Sequence, residues 1–456
     1  MKRFRDYFPE QPYLMPASPM EWLPEGHLAY FIHEVVKSLD LSMIFASYRE
    51  ERGRPPFDPR MMVAVWMYAY AVGVRSSRRV ERALIEDVAF RFLSGNQQAK
   101  YWALNSFRTR HRQALSQLFV QSVRLAEKAG LVELKHVAID GSKVKANASK
   151  HKAMSYARMR QEEQRLLREV GEYLAECDRI DALEDAEYGD RSGLEPPEHL
   201  RTQAGRLKAI QEAMRELEQE ARGEAEREQD ERRQQAEAEG REFKPRLDPA
   251  RAEPKPTAQR NFTDPESKIM LKGKEVVQAY NAQLAVDSEH QVIVAAELSN
   301  QAADAPQLPG LYQQIQQNTG RYPQEASADA GYWSGKNVRT IGESGAEAFI
   351  APGKVKHHEW RAQKAPRGRI PKGLTDRQLM KRKLSTKRGK QRYAKRQGTV
   401  EPVFGQFKFA RHLQQFLHKG LDKNRCLWRF DAAAHNLLKI FKARTMKSGC
   451  TAAASS

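Results

Sequence analysis

The stretch VELKHVAIDGSKVKANAS, residues 132–149, is where the character of the chain changes. Upstream of it, apolar residues recur at helical spacing. Here Val137-Ala138-Ile139 forms a short apolar run that reads as strand. We read two strands, 132–140 and 142–149, joined at Gly141. Asp140 closes the apolar run and so stands on, or at the end of, a central strand. A carboxylate there is costly unless it is exposed, paired or bound to metal.

Downstream, VVQAYNAQLAVD (276–287) and QVIVAAEL (291–298) read as a hairpin turning at 288–290. A helix over 305–318, strand EASADA (325–330), a helix near 336–343 and strand AEAFIAP (346–352) follow. Strands first, then helix and strand in alternation, predict an α/β fold: a mixed sheet flanked by helices. Residues 1–130 read as all-helical. Leu28, Phe31, Ile32, Val35 and Val36 recur on a helical period, and Asp58-Pro59 opens a buried helix running to Val74. Further helices are expected over 77–89 and 105–129, the last closed by Gly130.

Residues 155–255 interrupt the sheet. Leu166, Val170, Tyr173, Cys177 and Ile180 keep a heptad rhythm, as do Leu200, Leu207, Ile210, Met214, Leu217 and Ala221. Pro196-Pro197 supplies a turn between them, so we expect a coiled-coil-like helical hairpin paired within the chain rather than across a dimer. Its tail, 224–242, has almost no apolar stripe and reads as solvated helix or disorder. The expected domains are thus a helical domain (1–130), which the resemblance given below makes a DNA-binding one, an α/β domain (131–154 with 256–447), the hairpin insert (155–255) and a disordered tail (448–456).

The 456 residues carry 77 Lys and Arg against 58 Asp and Glu, a net charge of +19. Between Lys354 and Arg396 there are 17 Lys and Arg against two acids, Glu359 and Asp376, so this segment holds most of the excess. Such density neutralises phosphates and releases their counterions, which points to a nucleic-acid partner. No apolar run approaches the ~18 residues needed to cross a bilayer; the longest, 61–74, reads as a buried helix. The basic N-terminus lacks the apolar run of a secretory signal. Cys177, Cys426 and Cys450 are too far apart for a CxxC metal pair and fit a reducing cytoplasm.

Two further acids stand beside inferred elements. Asp329 follows a short strand and opens the loop Ala330-Gly331-Tyr332-Trp333. Glu401 lies in RQGTVEPVFGQFKFARHLQQF (396–416), where Val400, Phe404, Phe407 and Arg411 recur at helical spacing, with Pro402 expected in that helix's first turn. Carboxylates from two adjacent strands and a packed helix can hold two divalent ions about 3.5–4 Å apart. Their hard oxygens select Mg²⁺, with Mn²⁺ able to substitute. Taken singly, each acid is more often a capping or salt-bridged group.

The strings IDGSKVKANAS (139–149), TDPESKIM (263–270), AYNAQLAVD (279–287), ADAGYWS (328–334) and VEPVFGQFK (400–408) resemble the DDE transposases of bacterial insertion sequences. GRPPFDPRMM (53–62), the 61–74 helix and GVRSSRRVERA (73–83) resemble the helical segment preceding their catalytic domain. The resemblance implies a ribonuclease-H-like fold with Asp140, Asp329 and Glu401 as the catalytic, metal-binding triad. It also implies a Tyr-Arg-Glu-Lys signature, filled here by Tyr393, Arg396, Glu401 and Lys408. Four residues separate Arg396 from Glu401 where the common pattern has three, so Lys395 or Arg392 is an alternative phosphate contact. The implied activity is binding of an element's terminal inverted repeats, Mg²⁺-dependent cleavage at its ends and joining of the 3′-hydroxyls to target DNA, by a homodimer on double-stranded DNA. A catalytically silent DNA-binding protein and a ribonuclease-H-like nuclease without strand transfer are the alternatives.

The remaining candidates have two readings each. Asp287 and Asp264 are rival acids or turn residues. Tyr332 and Trp333 stack on an unpaired base or pack on the sheet edge. Lys143, Lys145 and Asn147 touch the substrate backbone or line a solvated strand face. Asn281 and Gln283 share one strand face, as hydrogen-bond partners of the site or as a polar exterior. Arg108, Arg110, His111 and Arg112 dock on terminal-repeat DNA or face solvent. His357-His358 lacks the further ligands of a zinc site.

Overall fold

The computed structural model describes residues 21–48, 55–188, 198–238, 240–243, 245, 248–353, 365–366 and 368–454. The chain opens with helices α1 (Leu28–Ser38), α2 (Ser42–Phe45), α3 (Pro59–Ala71), α4 (Ser77–Glu86), α5 (Val88–Leu93), α6 (Tyr101–Arg110) and α7 (Arg112–Lys128). Helix α3 starts as expected, with Pro59 in its first turn and the Asp58 carboxylate accepting from the Arg60 N–H at 2.7 Å. Its residues Met61–Ala71 are all buried, which is why the sequence is apolar all round rather than on one stripe. The single helix expected over 105–129 is two. The break falls at His111, whose buried ring meets the Tyr48 hydroxyl at 3.2 Å. Gly130 closes α7 with φ +73°.

The strands are β1 (His136–Lys145), β2 (Ala153–Ser155), β3 (Gln259–Asn261), β4 (Lys268–Lys272), β5 (Glu275–Asp287), β6 (Ile293–Ser299), β7 (Glu325–Ala328) and β8 (Glu347–Ile350). A mixed six-stranded sheet runs in the order β4-β5-β1-β7-β8, with β6 also paired to β5. β1 and β7, and β7 and β8, are parallel, whereas β5 and β6 form the expected antiparallel hairpin. The two strands expected on either side of Gly141 are one. Gly141 is not a turn but a point of close approach: a Cβ there would collide with the Gln283 amide and lie 2.9 Å from Asp304 Oδ1.

Helices α8 (Tyr156–Tyr188) and α9 (Glu198–Ala238) follow β2, α10 (Leu308–Thr319) lies between β6 and β7, and α11 (Gly335–Glu343) between β7 and β8. The chain ends with α12 (Asp376–Ser385), α13 (Lys387–Gly405), a π-helical turn (Gln406–Ala410) and α14 (Leu421–Ala454). Helix α14 includes residues 448–454, expected to be disordered; the alanine-rich end favours helix.

The chain forms two compact units, one of residues 1–144 with 281–456, the other of 145–280. In the first, α14 packs on α3, α7 and β6 and so joins the N-terminal helices to that strand. Trp66, Phe119, Trp428 and Phe430 are fully buried there, each burial contributing roughly 1.5–3 kcal/mol. The Asn436 amide substitutes for a strand neighbour at the start of β6: it accepts from the Ile293 N–H at 2.8 Å and donates to the Ile293 carbonyl at 2.9 Å. In the second unit, Tyr156, Met159 and Leu166 of α8 meet Ile210, Ala213, Met214 and Leu217 of α9. Of the heptad positions read from the sequence, Leu166, Ile210, Met214 and Leu217 belong to this cluster. The side chains of Val170, Tyr173, Cys177, Ile180 and Leu200, and Pro196-Pro197, lie outside the described residues. The 224–238 part of the charged tail is helix.

Candidate active site

Parallel register sets two carboxylates beside each other. β1 and β7 pair from His136↔Glu325 to Ile139↔Ala328. The next residues are Asp140, still within β1, and Asp329, just beyond β7. Asp140 Oδ1 accepts from the Gly141 N–H and Asp329 Oδ1 from the Gly331 N–H, each at 2.8 Å.

Helix α13 packs on β7 and β8 and buries Arg396, Thr399, Val400, Val403 and Phe404. Its start is capped by the Thr386 hydroxyl, which accepts from the Gly389 N–H at 3.0 Å. Because α13 begins at Lys387, Pro402 lies inside the helix and not in the first turn. Proline there leaves the Gly398 carbonyl without its helical donor, and the Gln291 amide donates to it at 3.1 Å.

Arg396 is brought between the acids. Its Nη1 lies 3.0 Å from Asp140 Oδ2 and its Nη2 3.5 Å from Glu401 Oε1. Its guanidinium carbon lies 5.7 Å from the centre of the Tyr393 ring. Arg396 and Asp140 are mostly buried, whereas the Glu401 side chain is half exposed. Burial pushes the Asp140 carboxyl up to about 7; Arg396 opposes this, and the neighbouring charges of Asp329 and Glu401 add to it. Among the described residues no three His, Cys, Asp or Glu side chains stand together closely enough to hold a metal ion. The guanidinium bridges Asp140 and Glu401 in that arrangement. The donor set still fits a hard divalent cation: Asp140, Asp329 and Glu401 offer only carboxylate oxygens, and their mutual repulsion is what such a cation relieves.

The other sequence candidates separate. Lys408 reaches Asp140's strand, donating to the Ser142 hydroxyl. Lys143 pairs with Asp304 at 2.9 Å. Lys395 pairs with Glu289 at 3.4 Å and Arg392 with Glu325 at 3.0 Å, so neither replaces Arg396 at Asp140. Tyr332 is fully buried, which removes it as a base-stacking surface, whereas Trp333 is half-buried. Asp287 is a buried turn residue accepting from the Leu134 and Glu289 N–H groups. Asp264 accepts from the Tyr280 hydroxyl at 2.8 Å. Lys145 pairs with Glu275 at 3.0 Å. Lys354, Lys356, Arg361, Lys364, Arg367 and His357-His358 lie outside the described residues.

One acid escaped the sequence reading. Asp304, on the loop after β6, accepts at Oδ1 from Lys143, Asn281 (2.7 Å) and Gln283 (2.9 Å). The available signal was Asn281 and Gln283 themselves: both are fully buried, and two buried amides on one face demand a polar partner.

Near α4 and α6 a groove of about 820 Å³ is lined by Arg78, Tyr101, Trp102, Arg110 and Arg112 among others, with no acid in its lining. The Trp102 side chain is 65% exposed. His111 is buried away from the groove, and Arg108, which also lines it, is almost wholly buried. Arg108 bonds the Tyr70 hydroxyl and Arg75 carbonyl, and its guanidinium carbon lies 4.1 Å from the Trp66 ring centre.

The mixed α/β sheet, with acids at the ends of neighbouring parallel strands and an Arg- and Glu-bearing helix packed across them, is a ribonuclease-H-like fold. A family model described as Transposase domain (DUF772) matches residues 17–110, and one described as Transposase DDE domain matches residues 253–437. The two matches together cover more than half of the chain, and the chain belongs to the DDE transposases. The DDE match includes Asp329 and Glu401; Asp140 precedes it. No curated protein and no solved structure gives a significant match. No helix among the described residues is long and apolar enough to cross a membrane.

Proposed function

We propose that the protein binds the terminal inverted repeats of an insertion sequence, cleaves the element ends by metal-dependent hydrolysis and joins the resulting 3′-hydroxyls to target DNA. Asp140, Asp329 and Glu401 form the catalytic group in this reading. The observation that carries it is the β1–β7 register, which makes Asp140 and Asp329 neighbours, with Arg396 of α13 bonded to Asp140.

Asp140, Asp329 and Glu401 would hold Mg²⁺, two ions in full occupancy, with Mn²⁺ as a substitute. When bound, the metal activates the attacking water or hydroxyl and stabilises the leaving oxygen. Arg396 neutralises the acids in the metal-free protein and offers its guanidinium to a phosphate when DNA enters, a bidentate role that lysine does not match. Tyr393, beside Arg396, orients it through its ring face. Lys408 contacts the DNA strand next to β1, and the half-buried Trp333 borders the cleaved nucleotide. The groove with Trp102 and Arg78, free of acids, suits the element end.

The protein works as a dimer on DNA in the bacterial cytoplasm, because two element ends must be held together. The test is incubation of the full chain with labelled element ends and a target plasmid, with and without Mg²⁺. Nicks with 3′-hydroxyls followed by joined products support the reading. Nicks without joining would leave a nuclease, and binding without nicks a silent DNA-binding protein.

A further inference from the structure

Asp304 lies beside the site yet belongs to no motif, and its surroundings are more constrained than those of the triad. Its Oδ1 takes three donors: Lys143 Nζ at 2.9 Å, Asn281 Nδ2 at 2.7 Å and Gln283 Nε2 at 2.9 Å. Lys143 lies three residues beyond Asp140 on β1, and Asn281 and Gln283 lie on β5, the neighbouring strand. The Gln283 carbonyl oxygen of the side chain accepts from the buried Tyr332 hydroxyl, three residues beyond Asp329. Asp304 Oδ2 and Asp329 Oδ1 both crowd Gly331, each about 3 Å from where a Cβ would stand. Asn281 Oδ1, fully buried and without a hydrogen-bond partner among the described residues, lies 3.1 Å from the corresponding point on Gly141.

We propose that Asp304 is a positioning residue of the active site: it ties Lys143 of the Asp140 strand, the β5 amides and, through Gln283 and Tyr332, the Asp329 turn into one network that fixes the two carboxylates for metal. The inference rests on the proposed reading of Asp140 and Asp329 as metal ligands. Two consequences follow from charge. Asp304 adds a negative charge beside the cation site, and it holds the positive charge of Lys143 away from Asp140. Lys143 is therefore a structural counter-ion and not a DNA contact. This network leaves no room for a side chain at Gly141, and at Gly331 a Cβ would fit only if the Asp304 and Asp329 carboxylates gave way by a few tenths of an ångström.

The experiment uses the full chain carrying Asp304→Asn, Lys143→Met or both, with Asp140→Asn as a control. Mn²⁺ binding is measured by electron paramagnetic resonance in the absence of DNA, alongside thermal melting and affinity for element-end DNA. Asp304→Asn is expected to weaken Mn²⁺ binding on the order of tenfold, the usual scale for a residue supporting metal ligands. Lys143→Met is expected to bind Mn²⁺ at least as tightly as the parent, because a cation has been removed. The double variant falls between them, with melting and DNA affinity close to the parent.

A role confined to folding would instead lower melting in both single variants and weaken Mn²⁺ binding in both. That result, or parental Mn²⁺ binding by Asp304→Asn, overturns the proposal. If Asp140→Asn also binds Mn²⁺ like the parent, the reading of the site fails with it; if only Asp140→Asn loses binding, the failure is confined to Asp304.

Discussion

Replacing Asp140 with asparagine should make the protein more stable at alkaline pH while destroying its activity. An aspartate ionises near 3.9 in an unfolded chain, whereas burial holds Asp140 at about 7 in the folded protein, with Arg396 opposing the shift and Asp329 and Glu401 reinforcing it. A raised acid favours folding while it can stay protonated. Its contribution is fully present below about pH 4 and is lost as the pH rises through about 7. Above that, keeping the carboxylate ionised in the folded state costs on the order of 4 kcal/mol. Asparagine avoids this cost but exchanges the charged bond to Arg396 for a neutral one, a loss of about 1–2 kcal/mol. The net gain at pH 8.5 is then about 2 kcal/mol, or a rise in Tm of roughly 2–3 °C for a protein of this size. The assay is thermal melting of parent and Asp140→Asn at pH 5, 7 and 8.5 in EDTA, alongside nicking of element-end DNA. A Tm advantage that grows with pH, with nicking abolished, is expected. Equal or lower stability of Asp140→Asn at pH 8.5 would refute the electrostatic reasoning.

Arg396→Gln removes the charge that draws Asp140 downward, so the acid limb of the nicking pH profile should move up by about one unit or more, with a lower maximum rate; an unmoved limb would separate Arg396 from Asp140. Asp431 lies 2.6 Å from Arg75 and 3.7 Å from Arg411 in the core, where Arg411 is held down to about 10 chiefly by burial. Asp431→Asn strands two buried guanidinium groups and should cost about 3–5 kcal/mol, read as a Tm loss of roughly 3–7 °C. At Gly389 a Cβ would strike the Lys383 carbonyl and lie 2.9 Å from Leu384 Cα. Gly389→Ala should therefore shift α13 off α12 and destabilise by about 1–3 kcal/mol, with nicking falling further than DNA binding.

Much of the catalytic sheet was readable because its strands are buried and short, so their apolar runs carry the signal directly. The β5–β6 hairpin, α10, β7, α11 and β8 follow the order read from 276–352. Gly141 misled because glycine inside a strand reads as a turn, and only the three-dimensional crowding by Gln283 and Asp304 explains it. The same holds for α13: a proline signals a first turn, but here a long-range amide, Gln291, satisfies the carbonyl that Pro402 leaves free. Arg396 reaches Asp140 because a buried helix face carries it there, a contact that its spacing from Glu401 does not reveal. Asp304 was missed because its donors lie 21 to 161 positions away, and the two amides that signal it, Asn281 and Gln283, do not say which acid they meet. Arg108 shows the opposite case: read as docking on DNA or facing solvent, it is anchored among Trp66, Tyr70 and the Arg75 carbonyl.

The most direct measurement replaces Mg²⁺ with Fe²⁺ and adds ascorbate and peroxide, so that hydroxyl radicals cut the protein's own backbone at the bound metal. Fragment mapping should show cuts beside Asp140, Asp329 and Glu401 together, suppressed by excess Mg²⁺ and lost in Asp140→Asn. Cuts that miss any of these three positions, or that persist unchanged in Asp140→Asn, would contradict a shared metal site.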